Sequence, residues 1–254
     1  MEHYVPGVNG GKVEEQIAAL VREKACRYGR MKYLLTDIWI AQSLGWYAEY
    51  SERECELFRY FIKPGDTVIN AGGNIGSHAV YLSQLVGPKG KFYTFEPQVP
   101  LYELLRENLT ANCPDNWKAL CAALGARSGE SALPRLDYTT PQNLGGAHIC
   151  DGEVAVPMVA IDDLSIEPNF IHLDVEGAEL IVLRGAARTI AKHKPLLYLE
   201  YSDHSVATLM SELDKMGYNW SRHEPMMFNP DNYAGNKNNL FGNTVSFNLF
   251  AFPR

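Results

Sequence analysis

Three short clusters hold the residues best able to do chemistry. The first is Asn70-Ala71-Gly72-Gly73-Asn74-Ile75-Gly76. Glycine has no Cβ, so such a turn lets backbone approach a ligand and lets the next helix point its N-terminus at it. Read as Ala71-x-Gly73-x-x-Gly76, it is a degenerate dinucleotide fingerprint. Glu96 stands twenty residues after Gly76, at the end of the next apolar run. A carboxylate there accepts hydrogen bonds from both ribose hydroxyls of a nucleoside. The second cluster is His172-Leu173-Asp174-Val175-Glu176-Gly177-Ala178-Glu179. Asp174 and Glu176 stand where an apolar run meets a helical one, and Gly177 permits the bend. Glu176 and Glu179 also suit the helix dipole as caps. The third is Leu199-Glu200-Tyr201, so Asp174 and Glu200 end two successive apolar runs. Two carboxylates at one sheet edge can share general-base work, hold substrate hydroxyls or bind a divalent cation. Spacing supplies no third ligand, so no metal is expected. Among the histidines, His78, His193 and His204 read as structural or solvent-facing. His148 lies in an irregular stretch and can reach such a site.

These clusters need elements to hold them. The segments 66–70, 91–95, 117–124, 169–175, 195–201, 217–223 and 244–252 read as strands. Helical stretches at 75–86, 98–111, 178–192 and 205–216 lie between them. A further strand, 154–160, contains Pro157 and suits a sheet edge. The alternation predicts an α/β fold: a doubly wound, mainly parallel sheet with helices on both faces. Such sheets bind ligands at the carboxyl ends of their strands, where all three clusters fall. Upstream, residues 12–28 show helical spacing. Ser51 with Glu54 gives a capping-box signal for a helix that Pro64-Gly65 ends. Tyr33, Trp39, Trp46, Tyr47 and Tyr50 crowd the stretch between, as a lid or as ordinary core. The expected division is a lead-in over 1–63 and a catalytic domain over 64–254. The segment 225–243 is long for a loop and rich in Asn, Tyr and Phe. Its amides suit sugar hydroxyls and its rings suit sugar faces; a plain surface insertion is the other reading.

Composition narrows the class. The chain has 254 residues and a formal charge of −7, enough for one large domain and without the basic excess that phosphate neutralisation needs. Nucleic acid is therefore disfavoured as a partner. Cys26, Cys55, Cys113, Cys121 and Cys150 form no CxxC pair, which favours free thiols over a disulfide framework or a cysteine zinc site. The residues at the N-terminus have no basic n-region or apolar h-region, and no segment reads as a membrane span. A cytoplasmic location is expected.

Three stretches together carry a resemblance: PGDTVINAGGNIGSHAVYLSQLVGPKGKFYTFEP, NFIHLDVEGAELIVLRGA and KPLLYLEY. They resemble the FkbM family of S-adenosylmethionine-dependent methyltransferases, and GWYAEYSERECELFRYFI resembles that family's lead-in. The DVEGAE block is the specific part. The resemblance implies a class I, Rossmann-like sheet of seven strands with the last antiparallel, behind an N-terminal helical lead-in. It implies S-adenosyl-L-methionine as cofactor and a hydroxyl of a sugar, glycan or small natural product as acceptor. Carried over, Ala71, Gly72, Gly73, Asn74 and Gly76 cradle the methionine portion, with Asn70 at the loop's start. Glu96 holds the ribose, Ala122 and Ala123 lie beside adenine, and Asp174 sits nearest the reacting methyl. The family usually has an acidic residue where Asn70 stands and a lysine where His172 stands.

Asp174 is the first choice for accepting the acceptor's proton, with His148, His172 and Glu200 as alternatives. Two competing readings stay open: a nicotinamide-dependent oxidoreductase, and a binding domain that has lost catalysis. The oxidoreductase reading has no Tyr-x-x-x-Lys pair to support it and leaves DVEGAE unexplained. A homodimer is left open.

Overall fold

Parallel strands with both faces covered are apolar throughout, and the runs ending in the three clusters pair in that way. In the computed structural model, which describes residues 10–149 and 152–254, the chain begins with α1 (Gly10–Leu20), β1 (Val21–Cys26), β2 (Gly29–Leu34), α2 (Ile40–Tyr47) and α3 (Glu52–Phe61). Then come β3 (Thr67–Ala71), α4 (Ala79–Val86), β4 (Lys91–Phe95), α5 (Val99–Asn112), β5 (Trp117–Leu120), β6 (Ala123–Leu124), β7 (Gly129–Leu133) and β8 (Val154–Val159). The chain closes with β9 (Phe170–Leu173), α6 (Glu179–Gly185), α7 (Ala187–His193), β10 (Leu196–Glu200), α8 (Val206–Lys215), β11 (Tyr218–His223) and β12 (Asn248–Pro253).

The main sheet has seven strands in the order β11-β12-β10-β9-β3-β4-β5. Six of them point the same way, and β12 is antiparallel to both its neighbours. Chain order reverses between β3 and β9, the switch point at which such sheets bind ligands. One core packs Phe58, Leu82, Phe92, Leu105 and Tyr198 on one face of the sheet. The other packs Ile69, Ile171, Leu183, Leu197 and Leu209 on the opposite face. A small sheet, β6-β8-β7, lies beside the main one.

Several elements depart from the periodicity. The helix expected over 12–28 stops at Leu20, and the rest pairs as the hairpin β1–β2. Tertiary contacts decide this. Asn108 on α5 accepts from Lys32 N at 2.7 Å and donates to Lys32 O at 2.9 Å. Asn112 does the same for Arg30, at 2.9 and 2.8 Å. These amides stand in for a strand along β2. The capping box does not form: Ser51 has φ +43°, and its hydroxyl donates to the Glu54 carboxylate at 2.6 Å, not to a backbone amide. β5 ends at Leu120, and Ala123–Leu124 leaves for the small sheet. There β8 is central, not an edge. Pro157 is tolerated because β6 pairs only with Met158 and Val159, beyond the missing N–H. The helix expected over 178–192 breaks at Ala186 into α6 and α7. Cys26, Cys55, Cys113 and Cys121 are free thiols; Cys150 lies outside the described residues.

Candidate active site

Ala71 pairs with both Phe95 and Leu173, so β3, β4 and β9 end side by side. The residues after them therefore emerge together. Gly72 N and Gly73 N both donate to Phe95 O, at 3.0 and 2.8 Å, and Asp174 N donates to Ala71 O at 3.1 Å. Gly72 has φ +80°, and a Cβ there would lie 1.8 Å from the Asp174 carbonyl oxygen. Only glycine allows the first and third of these strand ends to approach so closely.

Gly72, Glu96, Gln98, Ala122, Ala123, Leu124, Asp174 and Glu176 line one cleft at this edge, with Leu133, Gly145, Ala147 and Ile149 on its far wall. Glu96 is buried. Its two oxygens accept from Asn74 N at 2.8 Å and Gln98 N at 2.9 Å. Burial pushes its carboxyl up to about 7, against the pull of those two bonds. Each oxygen keeps a lone pair for a further donor.

The remaining loop residues divide. Asn74, at φ +46°, turns its amide toward Glu96. A Cβ on Gly73 would meet Thr94 and Leu105 at 2.5 and 2.7 Å, so this glycine serves helix–sheet packing; it is not among the cleft-lining residues. Gly76 turns at φ +93° beside Leu105. Ala71 is buried in the sheet. The Asn70 amide is committed below the cleft, 2.8 Å from His172 Nδ1 and accepting from Thr94 Oγ1 at 2.8 Å.

The carboxylates at the other side converge. Asp174, Glu176 and Glu200 each offer an oxygen within 4.8 Å of the others. Glu176 is the third group that spacing alone does not reveal. Its φ of +51° and the +89° of Gly177 fold it back over the cleft. Burial, then the Glu176 charge, pushes Asp174 up to about 7. Burial and the Asp174 charge push Glu200 well above the carboxylate range. Glu200 opposes part of the rise at Asp174, while Asp174 adds to the rise at Glu200. Glu179 closes the loop from beneath, accepting from Val175 N at 3.3 Å and Gly177 N at 3.1 Å. Burial holds the Tyr50 phenol well above its ordinary value, with the charges of Asp174, Glu54 and Glu200 adding to the rise.

Of the alternative bases, His148 is exposed, and its charge opposes the burial that raises Glu176. His172 does not join the cleft. Its ring is buried among Phe58, His78 and Tyr198, and burial keeps it neutral. The aromatic stretch packs beneath the long segment after β11: Trp39 stacks on Phe241, and Tyr47 meets Phe228 and Phe241. Two side-chain amides of that segment are engaged within it and with the lead-in. Asn232 donates to Asn229 O and Asn236 O, and Asn229 donates to Glu49 at 2.8 Å. Asn229 and Asn232 are therefore not free for a sugar.

Residues 70–219 match the profile of the Methyltransferase FkbM domain. The chain belongs to this family. Over 132 residues it is 28% identical to the hexuronic acid methyltransferase AglP of Haloferax volcanii, covering 49% of this chain and 52% of that one. The chain thus matches about half the length of this relative. Two solved structures share the fold. The precorrin-6y C5,15-methyltransferase of Geobacter metallireducens superposes with a TM-score of 0.51 at 13% identity, over 79% of this chain and 87% of that one. An S-adenosylmethionine-dependent O-methyltransferase of Thermotoga maritima gives 0.51 at 13%, over 91% and 77%. Their sheets are of the class I, Rossmann-like type. The FkbM domain uses S-adenosylmethionine, and the donor set of this cleft fits it. Glu96 is suited to the ribose, Ala122, Ala123 and Leu124 offer a small apolar wall, and Asp174 and Glu176 supply negative charge for a cationic centre.

No helix among the described residues is long and apolar enough to cross a membrane.

Proposed function

We propose that the chain is an S-adenosylmethionine-dependent O-methyltransferase acting on a hydroxyl of a sugar, glycan or small natural product. The observation that carries this is the placement of Asp174 in the same cleft as Glu96, at the meeting of three strand ends. The name of the Haloferax relative, a hexuronic acid methyltransferase, supports a carbohydrate acceptor.

When bound, the cofactor supplies an electrophilic methyl group on a sulfonium. The chain's own residues do the rest. Glu96 holds the ribose, and Gly72 lines the same cleft, which fixes the cofactor's direction and orients the reacting groups. Asp174 accepts the hydroxyl proton as the new bond forms. Glu200, at the end of the neighbouring strand, favours the carboxylate form of Asp174 that must act. Tyr50, from the lead-in, is close enough to Asp174 for that charge to raise its phenol.

Calorimetry with S-adenosylhomocysteine and with NAD tests the cofactor. A mass-spectrometric screen of sugars, glycans and small alcohols for a gain of one methyl tests the reaction. Binding of NAD in place of S-adenosylhomocysteine supports the oxidoreductase reading. Tight S-adenosylhomocysteine binding with methylation only on nitrogen or carbon rejects O-methylation.

A further inference from the structure

Behind the cleft, on the face of the sheet covered by α3, lies a second cluster. Glu54 on α3, His78 before α4 and His172 on β9 are all buried. Each offers a ligand-type atom within 4.8 Å of the other two. His78 Nε2 is buried without a hydrogen-bond partner. A buried polar atom in that state is costly, so it calls for an occupant.

We propose that Glu54, His78 and His172 form a binding site for a first-row divalent transition ion, with zinc as the occupant. Two imidazoles and one carboxylate are a three-ligand set of catalytic-type zinc sites. Four tetrahedral ligands at about 2.0–2.1 Å from zinc lie about 3.3 Å apart, so small side-chain shifts close the triangle. Burial lowers both imidazoles from their ordinary value and keeps them in the neutral, ligating form. Outer groups already orient the ligands. Asn70 fixes His172 through Nδ1, and its amide can turn its carbonyl to that nitrogen when Nε2 binds metal. Ser51 and Ser246 both donate to Glu54 Oε1, at 2.6 and 2.7 Å, which leaves Oε2 outside these two bonds. Phe58 and Tyr198 form an aromatic shell against the two rings. The ion would tie the lead-in helix α3 to β9, whose next residue but one after His172 is Asp174. Its role is thus to hold the lead-in in place, apart from the methyl transfer itself.

The test uses the full chain, purified without chelator from zinc-supplemented and from cobalt-supplemented cells. The expected result is one zinc per chain by elemental analysis, and intense visible bands of low-coordinate, nitrogen-ligated Co²⁺. His78→Gln and His172→Gln each lose the metal and melt at a lower temperature. Glu200→Gln keeps it. A metal-free unmodified chain overturns the proposal, as does a weak, six-coordinate oxygen-type cobalt spectrum. Full metal retention in His78→Gln, or loss of metal in Glu200→Gln, overturns it too, the latter pointing to the cleft carboxylates. If the imidazole variants do not fold, the metal content and cobalt spectrum of the unmodified chain decide alone.

Discussion

Asp174→Asn separates chemistry from binding at this site. The substitution keeps the shape of the side chain and one acceptor oxygen, and it removes the ability to take a proton. General-base catalysis contributes about 10²–10⁴-fold, so methylation should slow by that order, or about 3–5 kcal/mol of barrier. The environment of Asp174 also sets a pH profile. Its carboxyl is pushed up to about 7. In the unmodified enzyme kcat/KM should therefore rise with pH and level off above about 7, because the ionised form is the active one. The neighbours move this inflection in opposite directions. Glu176 raises Asp174 by its charge, so Glu176→Gln should shift the inflection to lower pH. Glu200 favours the ionised form of Asp174, so Glu200→Leu should shift it upward. The assay is single-turnover methylation across the acid and neutral range, with an acceptor from the screen, paired with S-adenosylhomocysteine titration on each variant. A flat profile in the unmodified enzyme, or a normal rate in Asp174→Asn, refutes the assignment. Lost cofactor affinity with normal chemistry at saturation makes Asp174 a binding residue instead.

Glu96→Ala should weaken S-adenosylhomocysteine binding by roughly 10- to 150-fold, from about 1.5–3 kcal/mol of charge-assisted hydrogen bonding. Glu96→Gln should also fail to restore it, since its NH2 must face the Asn74 or the Gln98 backbone N–H; calorimetry reads both. Gly72→Ala should lower the denaturation midpoint by at least the about 1–3 kcal/mol of a left-handed non-glycine residue, because its Cβ also meets the Asp174 carbonyl. Cofactor-free protein should lose stability as pH rises from the ordinary carboxylate range through about 7. The folded state holds protons on Glu96 and Asp174 that the unfolded chain has released. The slope is about 1.4 kcal/mol per pH unit for each group, and melting temperatures of Glu96→Gln and Asp174→Asn against pH should each show a shallower fall.

Local pattern was enough for the parallel core. Apolar runs between helical stretches, each ending in glycine or a carboxylate, fix which residues leave the sheet at its ligand edge. That is why Gly72, Glu96 and Asp174 were legible as residues of one edge: β3, β4 and β9 are too apolar to lie anywhere but the centre. The FkbM resemblance added the seven-strand count, the antiparallel last strand and the place of Ala122 and Ala123, which spacing does not contain. What the chain folds back upon itself to do was not legible. The strand character of Val21–Leu34 depends on amides of Asn108 and Asn112, far along the chain, overriding a helical period. His172 and Asn70 sit beside site residues in sequence, but a parallel strand has two buried faces, and theirs belongs to the core under α3. Glu176 joined Asp174 and Glu200 through a left-handed turn that no spacing rule predicts. The asparagines of the long segment looked available for a ligand, and tertiary structure spends Asn232 on closing its own loop and Asn229 on Glu49. Sequence periodicity reports which residues are buried, because burial repeats along an element. It does not report which buried polar groups face one another, because that depends on how distant elements pack.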